Sequence, residues 1–144
     1  MVVELASLTV YPNGFTIDLL LLPDPHLPNQ GMPFAPGFDP TRSLPRVGVR
    51  FSDGRTAGQD TTFPRRRPPA VDDDGLPSDP VLLWTGGGGG AGGFRFGVWV
   101  YPLPPPGELE IFVSMPGGDQ PEAKVVLDGA AIRAAGARAT VIWE

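Results

Sequence analysis

The run Trp99-Val100-Tyr101-Pro102-Leu103-Pro104-Pro105-Pro106-Gly107 constrains this chain more than any other segment. Its prolines lack backbone donors and fix φ, so neither a helix interior nor a central strand can cross it. On its N-terminal side Phe94, Phe96, Val98 and Val100 alternate with Arg95, Gly97, Trp99 and Tyr101. On its C-terminal side Leu109, Ile111 and Val113 oppose Glu108 and Glu110. Period-two alternation marks a strand with one face in the core. The segment therefore reads as a stiff corner between two strands, which are expected to pair.

The same punctuation divides the rest of the chain. Residues 2–10 and 15–22 flank Tyr11-Pro12-Asn13-Gly14, and Asn-Gly is a strong hairpin signal because both residues tolerate positive φ. Residues 46–52 alternate Val47, Val49 and Phe51 against Arg46, Arg50 and Ser52, then turn at Asp53-Gly54 into a weaker, polar strand over 55–63. Strands are also expected at 81–84, 122–127 and 139–143. One helix is predicted: Asp128 as N-cap, strong formers over 130–135, and Gly136 as terminator. Irregular loops are expected at about 23–45, 64–80 and 85–93, the first carrying seven prolines and the last a glycine run. No internal repeat is visible at a fixed period. The expectation is a single, mainly all-β domain over 1–144: a two-sheet β-sandwich or flattened barrel of about eight antiparallel strands, with one short C-terminal helix.

The residue inventory excludes several function classes. Twenty glycines and 19 prolines in 144 residues rule out a helical protein, while 41% hydrophobic residues suffice for a core. A net charge of −5 argues against nucleic-acid binding, which needs a clustered basic face. With no cysteine and one histidine, His26, thiolate chemistry and multi-histidine metal sites are absent. No metal or cofactor is expected. The opening residues lack the basic and apolar regions of a signal peptide, and the most apolar run, 17–22, contains Asp18 and is too short to span a bilayer. A cytoplasmic location away from membranes is the expectation.

Each motif has a functional and a structural reading. The glycines at 86–90 could cradle a phosphate through backbone N–H groups, but a phosphate loop needs Gly-Lys-Ser/Thr entering a helix, and here a strand follows. A flexible linker or a close backbone approach is simpler. Asp53 and Arg55 could form an acid–base pair, although turn chemistry alone explains Asp-Gly. Asp72-Asp73-Asp74 lacks the alternate spacing of a calcium loop and reads as a solvated acidic loop. His26 reads as a loop histidine, since no serine sits in a Gly-x-Ser-x-Gly elbow. The best binding candidate is the strand face bearing Trp99, Tyr101 and Arg95, which Trp84 could join. Aromatics on a rigid strand can stack on sugars or dock peptides. The competing account is that proline loops cover this face.

Phe51-Ser52-Asp53-Gly54-Arg55, the glycines at 86–90, the 99–107 segment, Leu127-Asp128-Gly129-Ala130-Ala131 and Trp143 together resemble a family of small uncharacterised actinobacterial proteins. The resemblance covers most of the chain after residue 46 and the opening hairpin. It implies a GC-rich actinobacterial source and a one-domain cytoplasmic protein, and carries over no catalytic or binding residue. Ten arginines against a single lysine, Lys124, fit such a genome. The functional expectation is a non-catalytic interaction or assembly module presenting an aromatic and proline surface to a protein or glycan partner. The alternatives are a small hydrolase or transferase using Asp53 or Asp18, and a ligand-binding protein with the glycine loop as a lid.

Overall fold

The computed structural model describes residues 2–22, 26, 44–58, 70–90, 92–115 and 122–142. Eight strands follow in chain order: β1 (Val2–Tyr11), β2 (Gly14–Leu22), β3 (Arg46–Arg50), β4 (Thr56–Gly58), β5 (Val81–Gly90), β6 (Gly93–Tyr101), β7 (Glu108–Ser114) and β8 (Ala123–Asp128). The single helix among the described residues is α1 (Gly129–Ala137). The strands form two antiparallel four-stranded sheets, A in the order β1-β2-β6-β5 and B in the order β4-β3-β7-β8. Two separate sheets make this a β-sandwich and not a closed barrel.

Successive hairpins alternate between the sheets. β1–β2 lies in A, β3–β4 in B, β5–β6 in A and β7–β8 in B. The two halves thus share one topology and meet at the inner pairs β2·β6 and β3·β7. Pleating buries every second residue, and one contiguous core results. Phe15, Ile17, Leu19 and Leu21 of β2 and Phe94, Phe96, Val98 and Val100 of β6 meet Val47, Val49, Leu109 and Ile111 of sheet B. Each fully buried side chain of this size contributes about 1.5–3 kcal/mol relative to exposure. No polar or charged side chain is buried among the described residues. The core is thus held by apolar packing.

The proline corner has a different purpose from the one its spacing predicts. β6 and β7 do not pair; each is an inner strand of a different sheet. The corner carries the chain across the sandwich, with a cis Tyr101–Pro102 peptide and Pro104 fully buried. Ser52 Oγ donates to Pro106 O at 2.7 Å, and Gly129 N donates to Gly107 O at 2.7 Å. Helix α1 then closes this end. Asp128 caps it by accepting from Ala130 N, and Ile132 enters the core. Arg133 Nη1 donates to Pro104 O at 3.1 Å.

Three further expectations need correction. Gly136 does not terminate the helix; it lies inside it, and the cap is Arg138. A Cβ at Gly136 would stand 2.7 Å from Leu103 Cδ1 and 2.9 Å from Tyr11 O, so close approach to the corner and to β1 explains the glycine. Residues 139–142 form no strand, leaving Val141 and Ile142 exposed. The glycines at 86–90 are not a loop but the second half of β5, paired with β6 from Gly86↔Gly97 to Gly90↔Gly93. Glycine lacks strand propensity, yet here it is required in part: a Cβ at Gly87 or Gly89 would lie 2.8 Å from the Phe94 ring. Of the polar strand expected over 55–63, β4 occupies Thr56–Gly58, and 59–63 lie outside the described residues. Trp143, most of the loop expected at about 23–45 and the first part of that expected at 64–80 lie outside the described residues.

Candidate functional site

The outer face of sheet A carries the aromatic cluster. Pleating places Arg95, Gly97, Trp99 and Tyr101 opposite the core residues of β6, as the alternation predicts. Cross-strand register sets Thr16 of β2 and Leu83 of β5 on either side of Trp99. The Trp99 indole leans over Gly14: a Cβ at that position would stand 2.5 Å from Trp99 Cζ2. The Tyr11 ring meets Trp99 edge-on, with centroids 5.4 Å apart and planes at 63°. This geometry suits the ring quadrupoles. Trp99 and Tyr101 are half-buried, whereas Tyr11 is 44% and Leu83 38% exposed.

Beside the aromatics lies a polar stretch. Ser7 Oγ donates to Asp18 Oδ2 at 2.9 Å. The Thr85 hydroxyl and Asp18 Oδ1 close over the buried backbone of Gly97, where a Cβ would collide with Thr85 Oγ1 and stand 3.3 Å from Asp18 Oδ1. Arg95 is exposed, between Leu20 and Gly88 in register. The face thus combines a pre-positioned aromatic pair with a carboxylate, hydroxyls and a guanidinium.

Trp84 does not join this surface. It aligns with Val98 on the inner side of sheet A, half-buried and 4.9 Å from the Phe96 ring centroid. Its register is regular from Val81↔Tyr101 to Trp84↔Val98, so it shares the inner face with Leu82; the β-bulge between Trp84 and Gly86 follows it and shifts the phase of the glycines alone. Tyr11 was assigned to a turn by its sequence, and nothing local signals its contact with Trp99. The hairpin β1–β2 and the strand pair β2·β6 bring the two together.

Asp53 and Arg55 serve the β3–β4 turn. Arg55 donates to Asp53 from its backbone N at 3.0 Å and from Nε at 2.7 Å. These bonds, the backbone one foremost, hold the Asp53 carboxyl below its ordinary value. Asp18 sits on the outer face of sheet A and Asp53 in a turn of sheet B, so the two carboxylates do not converge. Asp72 accepts from the backbone N of Asp74 and Leu76 at 3.0 and 2.9 Å, ordering an exposed turn. His26 is exposed. Among the described residues no group of three histidine or carboxylate side chains could hold a metal ion.

The outer face of sheet B is of another kind. A shallow depression of about 540 Å³ is lined by Arg46, Gly48, Arg50, Phe112 and Glu122. Glu110 accepts from Arg50 Nε and from Lys124 Nζ, the latter at 3.1 Å. The Arg50 bond and then the Lys124 bond hold its carboxyl below the ordinary value, and the same pairing raises Arg50. Arg50 also lies 5.2 Å from the Phe112 ring centroid.

No helix of the described residues is long and apolar enough to cross a membrane. No protein-family model, no curated protein and no solved structure matches the chain.

Proposed function

We propose that this chain is a non-catalytic recognition module whose sheet A outer face, centred on Trp99 and Tyr101 with Arg95 beside them, engages a protein or glycan partner. The observation that carries the reading is the seating of Trp99: laid over Gly14 and braced by Tyr11, it is held in place before any ligand arrives. Pre-ordered aromatics bind at low entropic cost. The neighbouring Asp18, Thr85 and Arg95 supply the acceptors and donors that a stacked sugar ring would need, which favours a glycan. The carboxylate-enzyme alternative has no such support, because Asp18 and Asp53 lie apart and Asp53 is held in its ionised form. The lid alternative loses its premise, since the glycines at 86–90 form a strand.

The test is a glycan panel and a lysate capture, run side by side on wild type, Trp99→Ala and Tyr101→Ala after thermal melts confirm folding. The expected result is a ligand retained by wild type and lost in part or whole by both variants. Equal recovery from all three proteins would remove the reading.

A further inference from the structure

β5 forms one lateral edge of sheet A, with β6 as its only hydrogen-bonded strand among the described residues and β4 of sheet B near it. Such an edge presents a row of free N–H and C=O groups, and folded proteins usually blunt it with charge, proline, shortness or a bulge, of which β5 has only the bulge between Trp84 and Gly86. Two of the other edges carry such charge: β1 has Glu4, and β8 has Lys124 and Asp128. β5 carries no charge and no proline along ten residues.

The strand is also divided in a telling way. Its first half, 81–85, bears side chains, with Leu83 38% exposed on the outer face and Trp84 half-buried on the inner one. Its second half, Gly86 to Gly90, is bare and exposed throughout. Phe94 accounts for Gly87 and Gly89, and a φ of +133° accounts for Gly86. Nothing in the described chain calls for Gly88 or Gly90, where a Cβ would meet no atom within 4 Å.

We propose that a second copy of this chain pairs antiparallel with β5, setting its side-chain-bearing half beside the bare half of the first. A two-fold axis near the bulge at Thr85 repeats the fit at both ends, as an isologous interface requires. Leu83 and Trp84 project to opposite faces, so each flanks one side of the partner's glycines. The uncharged strand brings no like charges together, although each chain carries −5. An extended peptide from another protein is the weaker occupant. Strand addition takes its specificity from side-chain pockets, and the glycine half offers none. This inference does not depend on the Trp99 face.

The test combines sedimentation velocity over a dilution series with amide hydrogen exchange, on wild type, Gly88→Lys, Gly90→Lys and Trp99→Ala. Both glycine positions have room for a side chain, and two of them guard against one variant misfolding. Wild type should show a reversible monomer–dimer equilibrium, with the amides of 86–90 slowing as dimer forms. Either lysine should weaken dimerisation by more than about tenfold by placing charge on the edge, and Trp99→Ala should leave it unchanged. A wild type that stays monomeric at every concentration would overturn the proposal. So would a dimer indifferent to both lysines, a dimer whose 86–90 amides still exchange freely, or protection that appears only when an extended peptide is added.

Discussion

Each outer face sets a glycine beside an aromatic ring, Gly14 under Trp99 on sheet A and Gly48 paired with Phe112 on sheet B. At Gly14 a Cβ would stand 2.5 Å from both the indole and the Val100 carbonyl oxygen. At Gly48 the nearest atom is Ala57 O, at 3.6 Å, an ordinary contact. On sheet A the missing side chain is therefore filled by the ring. On sheet B it stays open as the floor of the depression, while Arg50 and not the glycine covers Phe112. The same pair of residue types produces a braced aromatic platform in one place and an unfilled, ion-paired surface in the other. This is why Trp99, and not Phe112, is the better anchor for a ligand.

The sharpest way to break this contrast is Gly14→Ala. The added methyl collides with backbone as well as ring, so Trp99 must leave its seat, and overpacking of this kind destabilises by about 1–3 kcal/mol. Urea denaturation should show a lower midpoint, and near-ultraviolet circular dichroism should report an altered indole environment. An unchanged midpoint with an unchanged spectrum would mean that the glycine does not seat the ring.

A smaller effect is expected from Glu110→Gln on sheet B. Glu110 is held below the ordinary carboxylate value in the folded chain by Arg50 and Lys124. Such a group stabilises the fold at pH above its unfolded value, and that contribution disappears as pH falls through the lower, folded value. The variant should therefore melt below wild type at neutral pH, by less than Gly14→Ala because the network is exposed and screened. The gap should close in acid and narrow in high salt. A gap that widens on acidification would contradict the assignment.

The smallest effect is Gly48→Ala, expected within about 0.5 kcal/mol of wild type by the same urea titration, because its Cβ has room and a glycine in a strand is itself unfavourable. A loss as large as that of Gly14→Ala would erase the distinction between the two faces.

Much of this architecture is legible in the chain because period-two alternation is a local property. β2, β3, β6 and β7 each announce their buried face through four or fewer apolar residues. Asn13-Gly14 and Asp53-Gly54 mark their turns by local turn chemistry, and Asp128 marks the helix start in the same way. The candidate surface was half legible. Trp99, Tyr101 and Arg95 share a face as counted, but the register of β5 against β6 sets Trp84 opposite Val98 on the inner side, and Tyr11 reached Trp99 through tertiary pairing. The glycine strand was not legible. Propensity reads five glycines as a linker; pairing with β6 makes them a strand, and the Phe94 ring calls for two of them.

The sequence by itself determined that this chain folds as paired strands with one capped helix and no route to thiolate or multi-histidine chemistry, since alternation, turn residues and inventory need no knowledge of distant neighbours. Only the tertiary structure decided that the proline corner crosses between sheets and that the glycine run is half of a strand paired with β6. It alone decided that Trp99 rests on Gly14. Each of these depends on which strands lie side by side, and that is set by burying one common core, a property of the whole chain and of no single segment.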